Sequence, residues 1–145
     1  CLQLCIQVFS VNFHYFLRIL KKNFGHDNFR EYQQEIIQHV CDGNDALAVL
    51  ATGYGKSICY QIPALALEGT AIVISPLISL MKDQVDALLQ QGIRAAFINS
   101  TQNYHEQEVV RKSMAAGRTE ILYLAPERIV TDDMADFLSR QAISL

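Results

Sequence analysis

The sequence predicts an α/β fold built on a parallel β-sheet. Three observations predict it: short apolar runs alternate with helical patterns, those runs are continuous and do not alternate with polar residues, and a glycine-rich loop connects one run to a helix. Continuous apolar strands are typical of sheets whose two faces are both covered by crossover helices. A regular order of strands and helices along the chain indicates the α/β class.

The elements follow from this pattern in chain order. Ile36, Ile37 and Val40 share one face of a helix predicted at 31–41, and a turn then leads into a strand at 46–50. The glycine loop comes next, and a helix starts at Ile58. The remaining predicted elements are strands at 71–75, 95–98 and 120–124, and helices at 77–91, 104–116 and from about 126 to 140.

Composition places the chain among globular proteins and limits its partners. It has 145 residues, of which 50% are hydrophobic and 19% charged, enough apolar material for one domain with a sizeable core. The net charge of −3 lacks the basic surplus of an autonomous nucleic-acid binder, so any DNA contact should be local. The four cysteines show no zinc-site spacing and are predicted to be reduced thiols: Cys1, Cys5, Cys41 and Cys59.

The N-terminal segment 1–16 is the part of the chain whose role the sequence defines least. Its apolar character raises the possibilities of a signal peptide or a membrane span, but polar residues such as Gln7 and Asn12 interrupt it. We favour a helix with one apolar face and expect no membrane partner. The first residue is Cys1 and not Met, so we expect this chain to be a piece of a longer, intracellular protein.

The glycine-rich loop carries the chemistry of a phosphate-binding site. It reads Thr52-Gly53-Tyr54-Gly55-Lys56-Ser57 between a predicted strand and a helix, which is the context of a P-loop. Backbone N–H groups and a helix N-terminus can hold ATP phosphates. Lys56, the candidate catalytic residue, can reach the β- and γ-phosphates, and Ser57 can coordinate Mg²⁺. The alternative interpretation is a simple glycine turn followed by an exposed lysine.

Leu50 is a departure from the strict P-loop pattern. The general motif has glycine at this position. Helicase-type ATPases commonly replace that glycine and keep the rest, so the departure favours them over kinases.

A series of segments resembles the RecQ family of DNA helicases in order and spacing. The segments are Phe24-Gly25-His26-Asp27-Asn28-Phe29-Arg30 with Gln33, the P-loop, Ser75-Pro76-Leu77-Ile78-Ser79-Leu80-Met81-Lys82-Asp83-Gln84, Asn99-Ser100-Thr101-Gln102 and Ala125-Pro126-Glu127-Arg128. The match runs from about Leu17 to the end, so 17–145 is predicted to be a partial helicase domain. Ala51, Tyr54 and His26 are similar to the Werner syndrome helicase branch.

The resemblance implies roles for individual residues. Gln33 would recognise adenine, and His26 and Arg30 would lie against the base. Without the resemblance, a glutamine on a helix such as Gln33 is interpreted as a solvated surface residue. Ser75, Pro76 and Ser79 would contact single-stranded DNA, although Ser-Pro is also a common helix start. Arg128 would face DNA, or form an ordinary ion pair with Glu127.

The resemblance also implies a RecA-like first helicase domain that stops before the Walker B strand. The family's Asp-Glu-Ala-His motif does not occur in the sequence, and 141–145 reads as the start of the strand leading to it. The expected function is ATP-dependent 3′–5′ DNA unwinding together with a second RecA-like domain, in the nucleus of a eukaryote or the cytoplasm of a bacterium. Alternatives are another P-loop phosphohydrolase or kinase, or a non-catalytic partial gene product.

Overall fold

A computed structural model describes residues 13–145. The chain divides into two compact units between Leu67 and Glu68. The proposed boundary between 1–16 and 17–145 stays a prediction, because residues 1–12, including Cys1 and Cys5, lie outside the described residues.

The first unit is helical in its described part. Residues 13–19 belong to helix α1, which runs into a π-helical turn at Leu20–Phe24. Gly25, with a φ of 71°, ends this turn by donating its N–H to the carbonyl of Lys21. Helices α2 and α3 follow at Gln33–Cys41 and Ile58–Ala66.

A small apolar core holds the helices of the first unit together. Phe16, Leu20, Ile37 and Ile62 are its most buried members, each at most 3% exposed. They come from α1, the π-helical turn, α2 and α3. The core explains why the sequence pattern predicted helices here, since each helix has one apolar face to bury.

The strand predicted at 46–50 is wrong for this structure. Residues 44–50 have no regular secondary structure, and Leu47 and Val49 are 93% and 88% exposed. A strand is defined by backbone hydrogen bonds to a neighbouring strand. Residues 46–50 make none within the described chain, so the apolar run alone does not form one.

The second unit contains the predicted parallel sheet. Strands β1 (Ala71–Ile74), β2 (Ala95–Ile98) and β3 (Ile121–Leu124) are arranged in the order β1-β3-β2. Both pairings with β3 are parallel, and Ala71 and Ala95 lie on either side of Ile121. The central strand β3 is buried throughout, as its uninterrupted apolar sequence predicts.

Helices cover this sheet. Those predicted at 77–91 and 104–116 are observed within one residue of the predicted bounds, whereas the helical stretch predicted from about 126 to 140 is two helices separated at 130–131. The helices are α4 (Ile78–Gln90), α5 (Tyr104–Ala115), α6 (Pro126–Ile129) and α7 (Asp132–Ser139). A capping box starts α5: Asn103 accepts from the amide of Glu106, whose carboxylate accepts from the amide of Asn103. The α/β class with a parallel sheet is confirmed.

The last residues begin to extend the sheet beside β1. Thr70 donates its N–H to the carbonyl of Ala142 and accepts from the amide of Ser144, which makes a parallel bridge between Thr70 and Ile143. The amide of Ile72 donates to the carbonyl of Leu145. The expectation that 141–145 reads as the start of a strand is therefore consistent with the structure. No helix in the described part of the chain is long and apolar enough to cross a membrane.

Candidate nucleotide-binding site and nucleic-acid interface

Several backbone amides of the P-loop have no hydrogen-bond acceptor in the part of the chain that the structure describes. Gly53 and Gly55 have φ values of 79° and 82°, in the left-handed region that favours glycine. The amide of Tyr54 closes a turn on Ala51. By contrast, the amides of Gly53, Gly55, Lys56 and Ser57 donate to no atom of the described residues. Free N–H groups next to the start of α3 are the donors that a phosphate needs.

Gln33 ties the start of α2 to the P-loop. It is only 4% exposed, and its Nε2 donates to the carbonyl oxygens of Gly55 at 3.0 Å and Tyr54 at 3.3 Å. Its Oε1 accepts from the amide of Arg30 at 2.9 Å. Both ends of the side-chain amide are therefore satisfied, and the solvated-surface interpretation of Gln33 is wrong.

Arg30 makes a second link to the same loop. Its Nη1 donates to the carbonyl of Gly53 at 2.7 Å, and its guanidinium lies 6.0 Å from the centre of the Tyr54 ring. Together Arg30 and Gln33 contact the carbonyls of Gly53, Tyr54 and Gly55. The structure thus brings the two residues expected to recognise adenine directly against the phosphate loop.

Tyr32, between these two residues, has an unusual backbone conformation that the sequence did not predict. Its φ is 66°, and it is the non-glycine residue of 13–145 found in the left-handed region. A bulky residue there costs about 1–2 kcal/mol. Tyr32 directly precedes α2, so this turn sets the position of Gln33 as the first residue of the helix.

Lys56 and Ser57 differ in the hydrogen bonds that their side chains make to the described residues. Lys56 is exposed, and its Nζ donates to the carbonyl of Leu50 at 2.9 Å across the loop. Ser57 is half-buried at the N-cap of α3, and its hydroxyl makes no hydrogen bond to a described residue. Thr52 is exposed. The cation of the motif is therefore bonded within the loop, whereas its hydroxyl has no partner among the described residues.

His26 is the predicted site residue that the structure does not bring into this group. It is exposed and has no hydrogen bond, ion pair or ring contact with another residue of 13–145. Its neighbour Asp27 pairs instead with Lys21 at 2.8 Å. A role for His26 against adenine stays a prediction.

The candidate DNA contacts lie in the second unit, beyond the carboxyl ends of its strands. Ser75 follows β1, donates its N–H to the carbonyl of Leu124 and accepts from the amide of Leu77 at 3.3 Å. Pro76 and Ser79 are exposed. Ligands gather at this edge of parallel sheets, so the position agrees with a binding role.

Arg128 lies in α6, just after β3, and is half-buried. It forms no ion pair with a carboxylate of the described residues, so the expected alternative of a pair with Glu127 is not observed. Its Nη2 donates to Oε1 of Gln107, a residue that the motif reasoning missed. The sequence signal closest to Gln107 is the family-like segment Asn99 to Gln102, whose residues received no individual roles.

The site therefore defines a P-loop nucleotide-binding domain of the helicase type. The family model for the DEAD/DEAH box helicases matches residues 30–143, and the chain belongs to this family. The resemblance to RecQ helicases is confirmed by the curated relatives that the chain matches.

Two bacterial relatives and one from an animal illustrate the similarity. An ATP-dependent DNA helicase RecQ of Haemophilus influenzae is 49% identical over 123 residues, which cover 85% of this chain and 20% of the relative. The RecQ of Bacillus subtilis is 51% identical over 114 residues, covering 78% of this chain and 19% of the relative. The ATP-dependent helicase wrn-1 of Caenorhabditis elegans is 39% identical over 131 residues, which cover 89% of this chain and 12% of the relative. The chain spans about a fifth or less of the length of these relatives.

Proposed function

We propose that this chain is the ATP-binding part of a RecQ-type DNA helicase, which couples ATP hydrolysis to 3′–5′ translocation and duplex unwinding. The observation that carries the proposal is a loop that holds Lys56, Ser57 and amides with no acceptor among the described residues, and whose carbonyls are bonded to Arg30 and Gln33. A phosphate site joined to a base-recognition pair suits a whole nucleotide better than a lone anion.

The residues of the loop fit Mg²⁺-ATP. The amides of Gly53, Gly55, Lys56 and Ser57 would hold phosphate oxygens, and the Ser57 hydroxyl would be a ligand of Mg²⁺. The bound metal would neutralise phosphate charge during hydrolysis. Lys56 would have to leave the carbonyl of Leu50 to reach the phosphates. We infer that this lysine exchanges a neutral acceptor for an anionic one, which is the stronger hydrogen bond.

Adenine recognition would act on the loop through the same side chains that hold it. Gln33 uses its amide N–H groups on the carbonyls of Tyr54 and Gly55, and Arg30 uses its guanidinium on Gly53. A base that hydrogen-bonds Gln33 or stacks on Arg30 must compete with these contacts or use the remaining faces of the two groups. Base binding and loop conformation are therefore coupled in this proposal.

The proposed nucleic-acid contacts are Ser75, Pro76, Ser79 and Arg128. The exposed start of α4 offers hydroxyl groups, and Arg128 offers a charge that pairs with no carboxylate among residues 13–145. The net charge of −3 agrees with a binding surface that is local and shared. We further propose that a second RecA-like domain completes the motor. The complete protein would act in the nucleus of a eukaryote or the cytoplasm of a bacterium.

The test is the substitution Lys56→Ala in the full-length natural protein. We expect DNA-stimulated ATPase activity to fall by about a hundredfold or more, the size of effect seen when a charge-stabilising donor is lost. Affinity for single-stranded DNA should change little. Lys22→Ala, which removes an exposed lysine of the same unit outside the loop, is the matched control. Full ATPase activity in Lys56→Ala would contradict the proposal.

A further inference from the structure

Gln107, a buried residue of α5 in the second unit, has no role in the function proposed above. Gln107 is 9% exposed, and its Nε2 donates to the carbonyl oxygens of Gln102 at 3.0 Å and Asn99 at 3.5 Å. Its Oε1 accepts from Nη2 of Arg128. Arginine can only donate, so the carbonyl end of Gln107 must face it and the amide end must face the loop.

The loop that anchors Gln107 is itself rigidly bonded. Asn99, 1% exposed, accepts through Oδ1 from both the amide and the hydroxyl of Thr101, at 2.9 and 2.7 Å. The amide of Asn99 donates to the side chain of Gln102 at 3.2 Å. This loop follows β2, whereas Arg128 follows β3. Gln107 therefore fastens the guanidinium to the end of the neighbouring strand.

Gln107, the hydrogen-bond partner of Arg128, is neutral, so it does not offset the positive charge of the guanidinium. The pKa of Asp133 is lowered chiefly by its hydrogen bond to Arg111 and only to a smaller degree by the charge of Arg128. The Nε–H of Arg128 is buried and donates to no atom of the described residues. A half-buried cation held by an amide keeps its full attraction for an anion, whereas a carboxylate partner would cancel it.

We infer that Gln107 is a positioning residue that presents the guanidinium of Arg128 to a phosphate of the DNA backbone. The inference rests on the proposed DNA contact of Arg128 and extends it to a residue that does not itself touch DNA. Side chains at helix and loop ends that contact phosphates fix the register of the nucleic acid and do not read its sequence. The effect should therefore be the same for single strands of any sequence.

The test is a double-mutant cycle on binding of single-stranded DNA by the full-length natural protein, measured over a range of salt concentrations. Arg128→Met should weaken binding about tenfold and reduce the salt dependence of log K by about 0.7, the value for one phosphate contact on a single strand. Gln107→Met should weaken binding by about threefold to tenfold, and the double variant should bind like Arg128→Met alone. Arg140→Met, which removes an exposed arginine paired with Asp136, is the charge-matched control and should keep the slope.

The outcomes separate the inference from the function on which it rests. If Arg128→Met binds like the wild type, the proposed contact and the inference are both overturned. If Arg128→Met weakens binding but Gln107→Met does not, or if their effects simply add, only the role of Gln107 is overturned. Should Gln107→Met fail to fold, Gln107→Glu takes its place: the new carboxylate should cancel the guanidinium and lower the salt slope by about 0.7. An unchanged slope in that variant would overturn the inference.

Discussion

Gly55 provides the sharpest test of the contact between α2 and the P-loop. A Cβ added at Gly55 would lie 2.8 Å from Nε2 of Gln33, and the φ of this residue is 82°. Gly53 has nearly the same backbone conformation, with a φ of 79°, but a Cβ there would meet nothing within 4 Å. The substitutions Gly55→Ala and Gly53→Ala therefore share the backbone cost and differ in the clash with Gln33.

The expected magnitude follows from these two terms. An alanine in the left-handed region costs about 1–2 kcal/mol, and both variants incur that cost. In Gly55→Ala the side chain of Gln33 must also withdraw from the carbonyls of Tyr54 and Gly55. Each lost hydrogen bond costs about 1 kcal/mol. We therefore expect Gly55→Ala to destabilise the nucleotide-free loop by about 3–4 kcal/mol and Gly53→Ala by about 1–2 kcal/mol.

Hydrogen exchange of the amides in α3, directly after the loop, measures this local free energy without requiring the whole protein to unfold in one step. Adding Gln33→Ala to Gly55→Ala should cost less than the sum of the two single changes, because the clash no longer exists. The reasoning is refuted if the two glycine variants are equally destabilised, or if the Gln33 and Gly55 substitutions are additive.

Two further predictions concern a strained backbone and a surface ion pair. Tyr32→Asn should raise the local free energy of opening, measured by the same hydrogen exchange, by about 1 kcal/mol, because asparagine tolerates a positive φ. The control Tyr32→Phe keeps the strained backbone and should change this free energy little. Equal effects of the two substitutions would contradict the strain. The hydrogen bond from Arg111 and its charge lower the pKa of Asp133. The ion pair therefore stabilises the fold fully above the ordinary pKa of aspartate, and this stabilisation is lost as the pH falls through the lowered pKa. In Arg111→Met, a carbon-detected NMR titration should show the pKa of Asp133 rising toward its ordinary value, whereas an unchanged value would rule out Arg111 as the cause.

The sheet and its helices could be predicted because their signals are local. Strand β2 was predicted at 95–98 and occupies those residues, and α5 was predicted at 104–116 and ends one residue earlier. A continuous apolar run and a capping box both lie within a few neighbouring residues. The P-loop was equally visible, since its chemistry is contained in six consecutive residues.

The links between distant residues could not be predicted in this way. Gln33 contacts carbonyls 21 and 22 residues further along the chain, and Gln107 meets Arg128 across 21 residues. A glutamine has no sequence pattern that names its partner, because its amide can bond any backbone carbonyl or side chain within reach. The resemblance to a family indicated that Gln33 matters, but only the structure shows that it holds the P-loop.

The segment 46–50 shows that an apolar run predicts a need for partners and not their presence. Leu47 and Val49 are almost fully exposed, while the alternate residues of the run line a groove with α2 and α3, namely Ala46, Ala48 and Leu50. Full burial of a Leu or Val side chain is worth about 1.5–3 kcal/mol, so leaving both exposed forgoes several kcal/mol. The P-loop begins directly after this segment, and Lys56 donates to the carbonyl of Leu50 at its end. Pairing of this run with a neighbouring strand would therefore stiffen the support of the phosphate loop, since the residue that anchors Lys56 would become part of a sheet.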